Sequence, residues 1–134
     1  MAFNPDCVGR SYHGPVQVLD RDRHQAYALA VGADRDFSRP LACFAAVYLL
    51  GPIVPQLFED NAVGLDVEHL LHGEQEFSFE RPLAFDEQVS PLGVIAEVDR
   101  RRHLLFLDFQ CEGRDQAGEV VVRARSLFII KEGP

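Results

Sequence analysis

The chain has 134 residues, of which 47% are hydrophobic and 25% charged, and its formal net charge is −8 at pH 7. That length suits one domain, residues 1–134, with a sizeable core, and the composition is ordinary for a soluble globular protein. The acidic balance argues against nucleic acid or an anionic membrane surface as the main partner. The start of the chain lacks the pattern of a signal peptide, and three widely spaced cysteines predict reduced thiols in a cytoplasmic protein.

The N-terminal part of the sequence predicts a short edge strand followed by one amphipathic helix. Gly14-Pro15 is a turn signal, and the alternation Val16-Gln17-Val18 is typical of a strand. Asp20 is a suitable helix N-cap, and Gly32 is a suitable C-cap. The apolar stripe by which this helix is expected to pack consists of Ala26, Tyr27, Ala30 and Val31.

The stretch Leu41 to Phe58 is the most apolar part of the chain. It has one strongly polar residue, Gln56, no charge and no preferred apolar face, which predicts a helix buried on all sides. Cys43 inside it is expected to be a small core residue. The length would also fit a membrane span. That reading is disfavoured by the helix-breaking residues in its second half, Gly51, Pro52 and Pro55.

From Val67 onward the hydrophobic pattern has a period of two, which is typical of strands. An irregularity is expected at Pro91 to Gly93. The predicted strands are Glu74–Glu80, Val89–Val98, Leu104–Glu112 and Glu119–Ile130. A meander of long antiparallel strands after one buried helix predicts an α+β fold, a single hot-dog domain in which the sheet wraps around the helix.

Three segments resemble the MaoC-like hydratase/dehydratase family, in particular its N-terminal or substrate-binding halves such as mycobacterial fatty-acid dehydratase subunits. The first runs from Cys7 to Tyr12 and continues into the capped helix and Asp34. The second is the apolar stretch after Arg39-Pro40, and the third is the run from His72 to Leu83. With the strands that follow, the resemblance covers nearly the whole chain.

In active members of that family, the loop after the first helix reads Tyr-Ala, then Asp, then Asn-Pro-Leu-His. The Asp and His act on water at the β-carbon of a 2-enoyl thioester, and a backbone amide at the start of the buried helix polarises the thioester carbonyl. A neutral histidine and a helix N-terminus suit these roles. Here Tyr27, Ala28 and Asp34 match, whereas Asp36 replaces the Asn and Arg39 replaces the His.

The candidate catalytic residues are therefore Asp34, aided by His72. Alternatively, Asp34 caps its loop by accepting hydrogen bonds from backbone amides. Arg39 is a candidate ligand for an acidic group, or it pairs with Asp34 or Asp36. The candidate substrate-binding residues are Asp36, Arg39, Pro40, Leu41 and Gly73.

The remaining histidines do not predict a metal site. His69 and His72 point to opposite faces in an extended segment, and no cluster of Cys, Asp or Glu completes a ligand set. His13, His24 and His103 lie in polar contexts and are expected to be exposed. Because the sequence has neither a phosphate-binding glycine-rich loop nor a dinucleotide fingerprint, no cofactor is predicted.

The resemblance implies a subunit of a 2-enoyl-thioester hydratase or 3-hydroxyacyl-thioester dehydratase. It implies an acyl-CoA or acyl-carrier-protein thioester as ligand, with a fatty or polyketide-type acyl chain. Without the histidine, this chain would form the acyl-binding half of a homodimer or of a heterodimer with a second hot-dog subunit. Two alternatives are an acyl-thioester thioesterase and a non-enzymatic module that binds acyl thioesters.

Overall fold

A six-stranded antiparallel sheet forms the main layer of the computed structural model, which describes residues 2–133. The strands are β1 (Ser11–His13), β2 (Gln17–Val18), β3 (Leu70–Phe79), β4 (Gln88–Arg101), β5 (Leu104–Arg114) and β6 (Val120–Lys131). Their order is β1-β4-β5-β6-β3, and β2 also pairs with β4. The long strands predicted from the period of two are confirmed close to their expected bounds.

One detail of the predicted sheet is wrong. The irregularity in β4 is a register shift between Ile95 and Glu97, not at Pro91 to Gly93. The strand that begins near His72 lies at the edge of the sheet and pairs only with β6. Its outer edge of backbone N–H and C=O groups therefore has no partner strand in the part of the chain that the structure describes.

The apolar stretch from Leu41 to Phe58 is helical, but it is not one helix. It consists of a 3-10 turn (Ala42–Phe44), a π-helical turn (Ala46–Leu50) and helix α2 (Val54–Glu59). The breaks follow from the sequence, since the amide of Gly51 reaches back five residues to Ala46 and Pro52 and Pro55 have no amide to donate. The sheet covers one side of this segment, with Phe44, Tyr48, Leu49, Ile53 and Leu57 buried.

The expectation that this segment is buried on all sides is wrong. Ala42, Cys43, Gly51, Pro55 and Gln56 are exposed, because a single sheet covers only one side of it. Cys43 is therefore not a core residue. All three cysteines are free thiols, and Cys7 and Cys111 are buried. Within residues 2–133, no helix has both the length and the apolar character needed to cross a membrane.

The first helix, α1 (Arg21–Ala30), has the predicted caps. The Asp20 carboxylate accepts a hydrogen bond from the Arg23 amide at 2.8 Å, and Gly32 follows the helix with a φ of +84°. Its packing face differs from the prediction, because the residues that α1 buries are His24 and Ala28. Of the predicted stripe, Tyr27 is half-buried, whereas Ala26, Ala30 and Val31 are exposed.

The helical segment approaches the sheet closely at Gly93 of β4. A β-carbon at this position would lie 2.5 Å from Ile53 Cγ2 and 2.6 Å from Phe109 Cζ. A glycine is therefore required for the sheet to contact the helical segment at this distance. The sheet wrapped around this segment is the predicted hot-dog fold.

A hydrogen-bonded cluster fixes the end of α2 to β1. The Tyr12 hydroxyl donates to Asp60 Oδ2 at 2.6 Å, and Arg10 Nε donates to the same oxygen at 3.0 Å. The hydrogen bond from Tyr12 is the largest cause that lowers the pKa of Asp60, and burial raises the pKa of Tyr12 to about 12. Asp60 is thus an ionised structural residue.

Candidate functional site

A depression of about 420 Å³ lies where the loop after α1 enters the helical segment and where β3 ends. We call it the Tyr48 depression, after the residue at its base. The loop and the helical segment supply Arg39, Pro40, Leu41, Ala42 and Tyr48, and the end of β3 supplies Phe79, Glu80, Arg81, Pro82 and Leu83. The lining thus joins segments that are about forty residues apart in the sequence.

Helix α1 holds one wall of this depression through three hydrogen bonds to the backbone. Arg21 Nη1 donates to the Phe37 carbonyl at 3.3 Å, and the Leu41 amide donates to His24 Nε2 at 2.9 Å. The Tyr27 hydroxyl donates to the Cys43 carbonyl at 3.1 Å. These contacts fix the backbone on both sides of Arg39, which has no regular secondary structure of its own.

His24 is the centre of this arrangement and is only 1% exposed. Its ring packs edge-on against three aromatic rings, those of Phe37, Phe44 and Phe85, with centroids 5.0 to 5.1 Å away. Because Nε2 accepts the Leu41 amide, the ring is neutral with its proton on Nδ1. Burial, followed by the charge of Arg21, lowers the pKa of His24 and favours this neutral form.

The prediction that His24 is exposed is therefore wrong. Its neighbours in the sequence are Arg23 and Gln25, which suggest a solvated surface. Its aromatic partners come from the following loop, the helical segment and the β3–β4 connection. The one sequence feature that could indicate the burial of His24 is its place on the inner face of an amphipathic helix.

Tyr48 is a second residue of the site that the sequence pattern does not predict. It lies in the π-helical turn, is 2% exposed, and packs against the Phe44 ring at 5.7 Å between centroids. Burial, and to a smaller extent the charge of Glu87, raises its pKa, so the hydroxyl keeps its proton. Within residues 2–133 this hydroxyl makes no hydrogen bond, which leaves it able to donate to a group in the depression.

The two arginines that line the depression are in different states. Arg81 forms ion pairs with Glu87 and with Asp115, the latter at 3.1 Å, and these contacts raise its pKa. Arg39 is exposed, and it takes part in none of the ion pairs formed by residues 2–133. Arg39 is thus the cation that is available to an acidic ligand at this site.

The structure brings together three of the predicted substrate-binding residues, namely Arg39, Pro40 and Leu41. It also shows that the Leu41 amide is already bound to His24. Asp34 and Asp36 are exposed on the preceding loop and do not line the depression. Among residues 2–133, neither carboxylate accepts a hydrogen bond or pairs with Arg39, so the predicted loop cap and ion pair are absent.

His72 and Gly73 lie at the opposite end of β3 from the depression. Gly73 lies six positions before Phe79 in the sequence, which corresponds to about 20 Å along a strand. His72 Nε2 contacts Gln75 Oε1 at 2.9 Å, and this oxygen also accepts a hydrogen bond from the buried Ser126 hydroxyl. Gly73 lies at a register shift where a β-carbon would lie 2.8 Å from Ile129 Cδ1.

The predicted pair of Asp34 and His72 is thus divided between a loop after α1 and the far end of β3, and no contact joins the two side chains within residues 2–133. In the same part of the chain, no three His, Cys, Asp or Glu residues are grouped so that they could hold a metal ion. A further depression of about 390 Å³ on the outer face of the sheet contains none of the predicted site residues.

A long antiparallel sheet around a helical segment is the architecture of a hot-dog protein, the fold of the MaoC-like dehydratases that this chain resembles in structure. The family model described as "FAS1-like, dehydratase domain region" matches residues 22–124. The chain belongs to this family. It is also 29% identical to a UPF0336 protein of Streptomyces coelicolor, over 98% of this chain and 97% of that protein.

Solved structures show the same fold. A C-terminally truncated HadBC (3R-hydroxyacyl-ACP dehydratase) complex from Mycobacterium tuberculosis matches with a TM-score of 0.78 and 17% identity, over 92% of this chain and 97% of that chain. A MaoC-like dehydratase from Phytophthora capsici matches with a TM-score of 0.74 and 15% identity. That match covers 98% of this chain but only 52% of the other, so this chain corresponds to about half of that protein.

Proposed function

We propose that this chain is the acyl-binding subunit of a 2-enoyl-thioester hydratase or 3-hydroxyacyl-thioester dehydratase. A second hot-dog subunit supplies the catalytic Asp and His. The ligand is an acyl-CoA or acyl-carrier-protein thioester whose acyl part enters the Tyr48 depression. The match of this chain to half of a longer dehydratase and to one chain of a complex supports such a division of labour.

The observation that carries the proposal is the chemistry of the depression. Arg39 lies in the lining of the depression, at the position where active relatives of this fold carry a histidine, and it forms no ion pair with any residue from 2 to 133. The single nearby imidazole, His24, is 1% exposed and its Nε2 is occupied by the Leu41 amide. The depression therefore offers a cation and a hydroxyl to a ligand. The one carboxylate in its lining, Glu80, is paired with Arg123 and is not a free base, and this combination favours binding over catalysis.

The edge of the sheet supports pairing with a second subunit. Strand β3 has a free edge along ten residues, and Leu71 on it is 70% exposed. Phe77 and Phe79 point to the inner face but are only half-buried. A long edge strand with exposed apolar side chains is unfavourable in water, and a strand from a second hot-dog domain would cover it.

The activity test uses crotonyl-CoA as the substrate. We expect the purified chain alone to hydrate it at no measurable rate, because the depression has no free base. A second MaoC-like subunit from the same genome, one that carries the intact Asp and His, is then co-expressed with this chain. The pair is expected to hydrate the substrate, and the loss of the enoyl-thioester absorbance measures the rate. Rapid turnover by this chain alone would contradict the proposal, and release of free coenzyme A would indicate a thioesterase.

Catalytic roles for Asp34 and His72 remain predictions, and the active pair tests them. Asp34→Asn and His72→Ala are expected to leave kcat within about twofold, because neither side chain lines the depression. A loss of kcat of a hundredfold or more in either variant would instead assign catalysis to this chain. Activity in no mixture, together with a co-purifying acyl thioester, would indicate a binding module without turnover.

Tyr48 provides a test of ligand orientation within the depression. Replacing Tyr48 with phenylalanine removes a buried hydroxyl that makes no hydrogen bond among the described residues 2–133, so stability is expected to change little. Affinity for an acyl-CoA is expected to fall about five- to tenfold, the effect of one lost hydrogen bond to the thioester carbonyl. Isothermal titration calorimetry with octanoyl-CoA measures this, and Tyr27→Phe serves as the control because its hydroxyl is bound to Cys43.

A further inference from the structure

The outward-facing side of β3 is acidic along its free edge. Glu74 and Glu76 point to this side in the strand, and Glu80 follows directly after its end. The remaining outward residue between them, Ser78, is uncharged. Because every second residue of a strand faces the same way, these side chains would stand in one row beside any strand that pairs with β3.

Two arginines of β6 face this row but do not neutralise it. Arg125 Nε lies 2.8 Å from Asp108 Oδ2 on β5, whereas its Nη1 lies 3.5 Å from Glu74. Arg123 pairs with Glu80. Asp108 thus holds Arg125 from the other side, and the second Asp108 oxygen is buried without a partner among residues 2–133. The row therefore keeps an excess of negative charge.

Pairing of β3 with β3 of a second copy would place these glutamates against each other. Two copies of β3 that pair antiparallel are related by a twofold axis perpendicular to the sheet. Outward residues of one copy face outward residues of the other only if the axis lies at a residue, so that this residue stands opposite its own copy. An axis through Gln75 places Glu74 opposite Glu76 of the second copy. An axis through Glu74 or Glu76 places that residue opposite itself, and an axis through Phe77 or Ser78 places Glu74 or Glu76 opposite Glu80.

Each of these alignments therefore places two glutamates directly opposite each other in a cross-strand pair, in which the β-carbons are about 5 Å apart. Like charges directly opposite each other destabilise strand pairing. The same row would be stabilised by a strand that carries Lys or Arg at the facing positions. The charge pattern thus distinguishes a second copy from a different partner.

We propose that the acidic row Glu74, Glu76 and Glu80 selects a heterologous hot-dog subunit whose pairing strand is basic on its outward face, and disfavours a homodimer. This inference rests on the proposed function, which supplies the second subunit. It adds the chemistry by which that subunit is recognised. The occupant of the β3 edge is accordingly a basic strand of another protein rather than a second copy of this chain.

The test uses a charge-reversed copy of this chain, Glu74→Lys/Glu76→Lys, as the basic partner. Mixed with the unaltered chain, it is expected to form a mixed dimer at least about tenfold tighter than either homodimer, because each Glu then faces a Lys. Native mass spectrometry separates the species after one chain is given a mass tag. In about 0.5 M NaCl the mixed dimer should weaken, while self-association of the unaltered chain should strengthen relative to about 0.05 M NaCl.

A matched control carries the same charge change elsewhere, Asp22→Lys/Glu97→Lys, at exposed positions on α1 and β4. It is expected to give no preference for mixed dimers. A tight homodimer of the unaltered chain whose affinity is the same at both salt concentrations would overturn the charge selection. The hydratase assay is read separately, so that result would leave the proposed function intact. The salt series needs no variant, so misfolding of the charge-reversed copy would not prevent the test.

Discussion

Replacing His24 with alanine is expected to lower the free energy of unfolding by about 3 kcal/mol, a large fraction of the stability of a small domain. The ring is 1% exposed and touches three aromatic rings, so its removal leaves a cavity between α1 and the helical segment. It also leaves the Leu41 amide without its acceptor. Urea unfolding followed by circular dichroism measures the loss.

Two further variants separate packing from hydrogen bonding at this position. His24→Leu keeps much of the volume but not the acceptor, so we expect a smaller loss of about 1–2 kcal/mol from the unpaired amide. His103→Ala, at an exposed turn, is expected to change stability by less than about 0.5 kcal/mol. A His24→Ala variant as stable as His103→Ala would show that the ring does not hold the loop.

His24 also makes the stability of the folded chain depend on pH, and its burial fixes the direction of this dependence. Because the pKa of His24 in the folded chain lies below its ordinary value of 6.5, the unfolded chain binds a proton first as the pH falls. The stability that the neutral ring contributes is therefore complete above about pH 6.5 and is lost as the pH falls from there towards the folded pKa. This component of the pH dependence should be absent from His24→Leu.

The strands of this fold could be predicted closely because their signal is local. Alternation from Val67 onward requires only neighbouring residues, and β3 to β6 begin and end near the expected positions. The caps of α1 at Asp20 and Gly32 are equally local and were also predicted correctly. The position of β3 at the sheet edge cannot be predicted in this way, because strand order depends on contacts between distant segments.

The errors concern burial, which depends on what covers a segment and not on its own pattern. Cys43 was expected in the core because its neighbours are apolar, yet the sheet covers only the other side of this segment. His24 was expected at the surface because its neighbours are polar, yet three distant phenylalanines surround it. Helix α1 has alanines on both its exposed and its buried face, so the apolar pattern of its sequence does not distinguish the two faces.

The candidate site could be predicted only where its residues are adjacent in the sequence. Arg39, Pro40 and Leu41 lie together in the structure because the chain joins them. The opposite wall, Phe79 to Leu83, and the base at Tyr48 become part of the site only through the fold. Asp34 and His72 lie outside this lining, and their catalytic roles stay predictions.

Filling the Tyr48 depression is expected to abolish most of the acyl binding. Ala42 is exposed and lines the depression, so Ala42→Trp places an indole in the space of about 420 Å³ without disturbing the core. If the acyl chain of the ligand occupies this space, the affinity for octanoyl-CoA should fall at least about tenfold, the effect of excluding a few buried methylene groups. Isothermal titration calorimetry of the variant beside the unaltered chain measures this.

The absence of tryptophan from the sequence makes the same variant a probe of its own position. The introduced indole is the only one in the chain, so its emission reports whether it is shielded in the depression or exposed to solvent. Ala26→Trp, on the exposed face of α1, provides the matched control and should show solvent-exposed emission with unchanged binding. If the indole of Ala42→Trp is shielded from solvent and the affinity is unchanged, the acyl chain binds outside this depression. The acyl-binding role would then have to rest on the β3 edge and the second subunit.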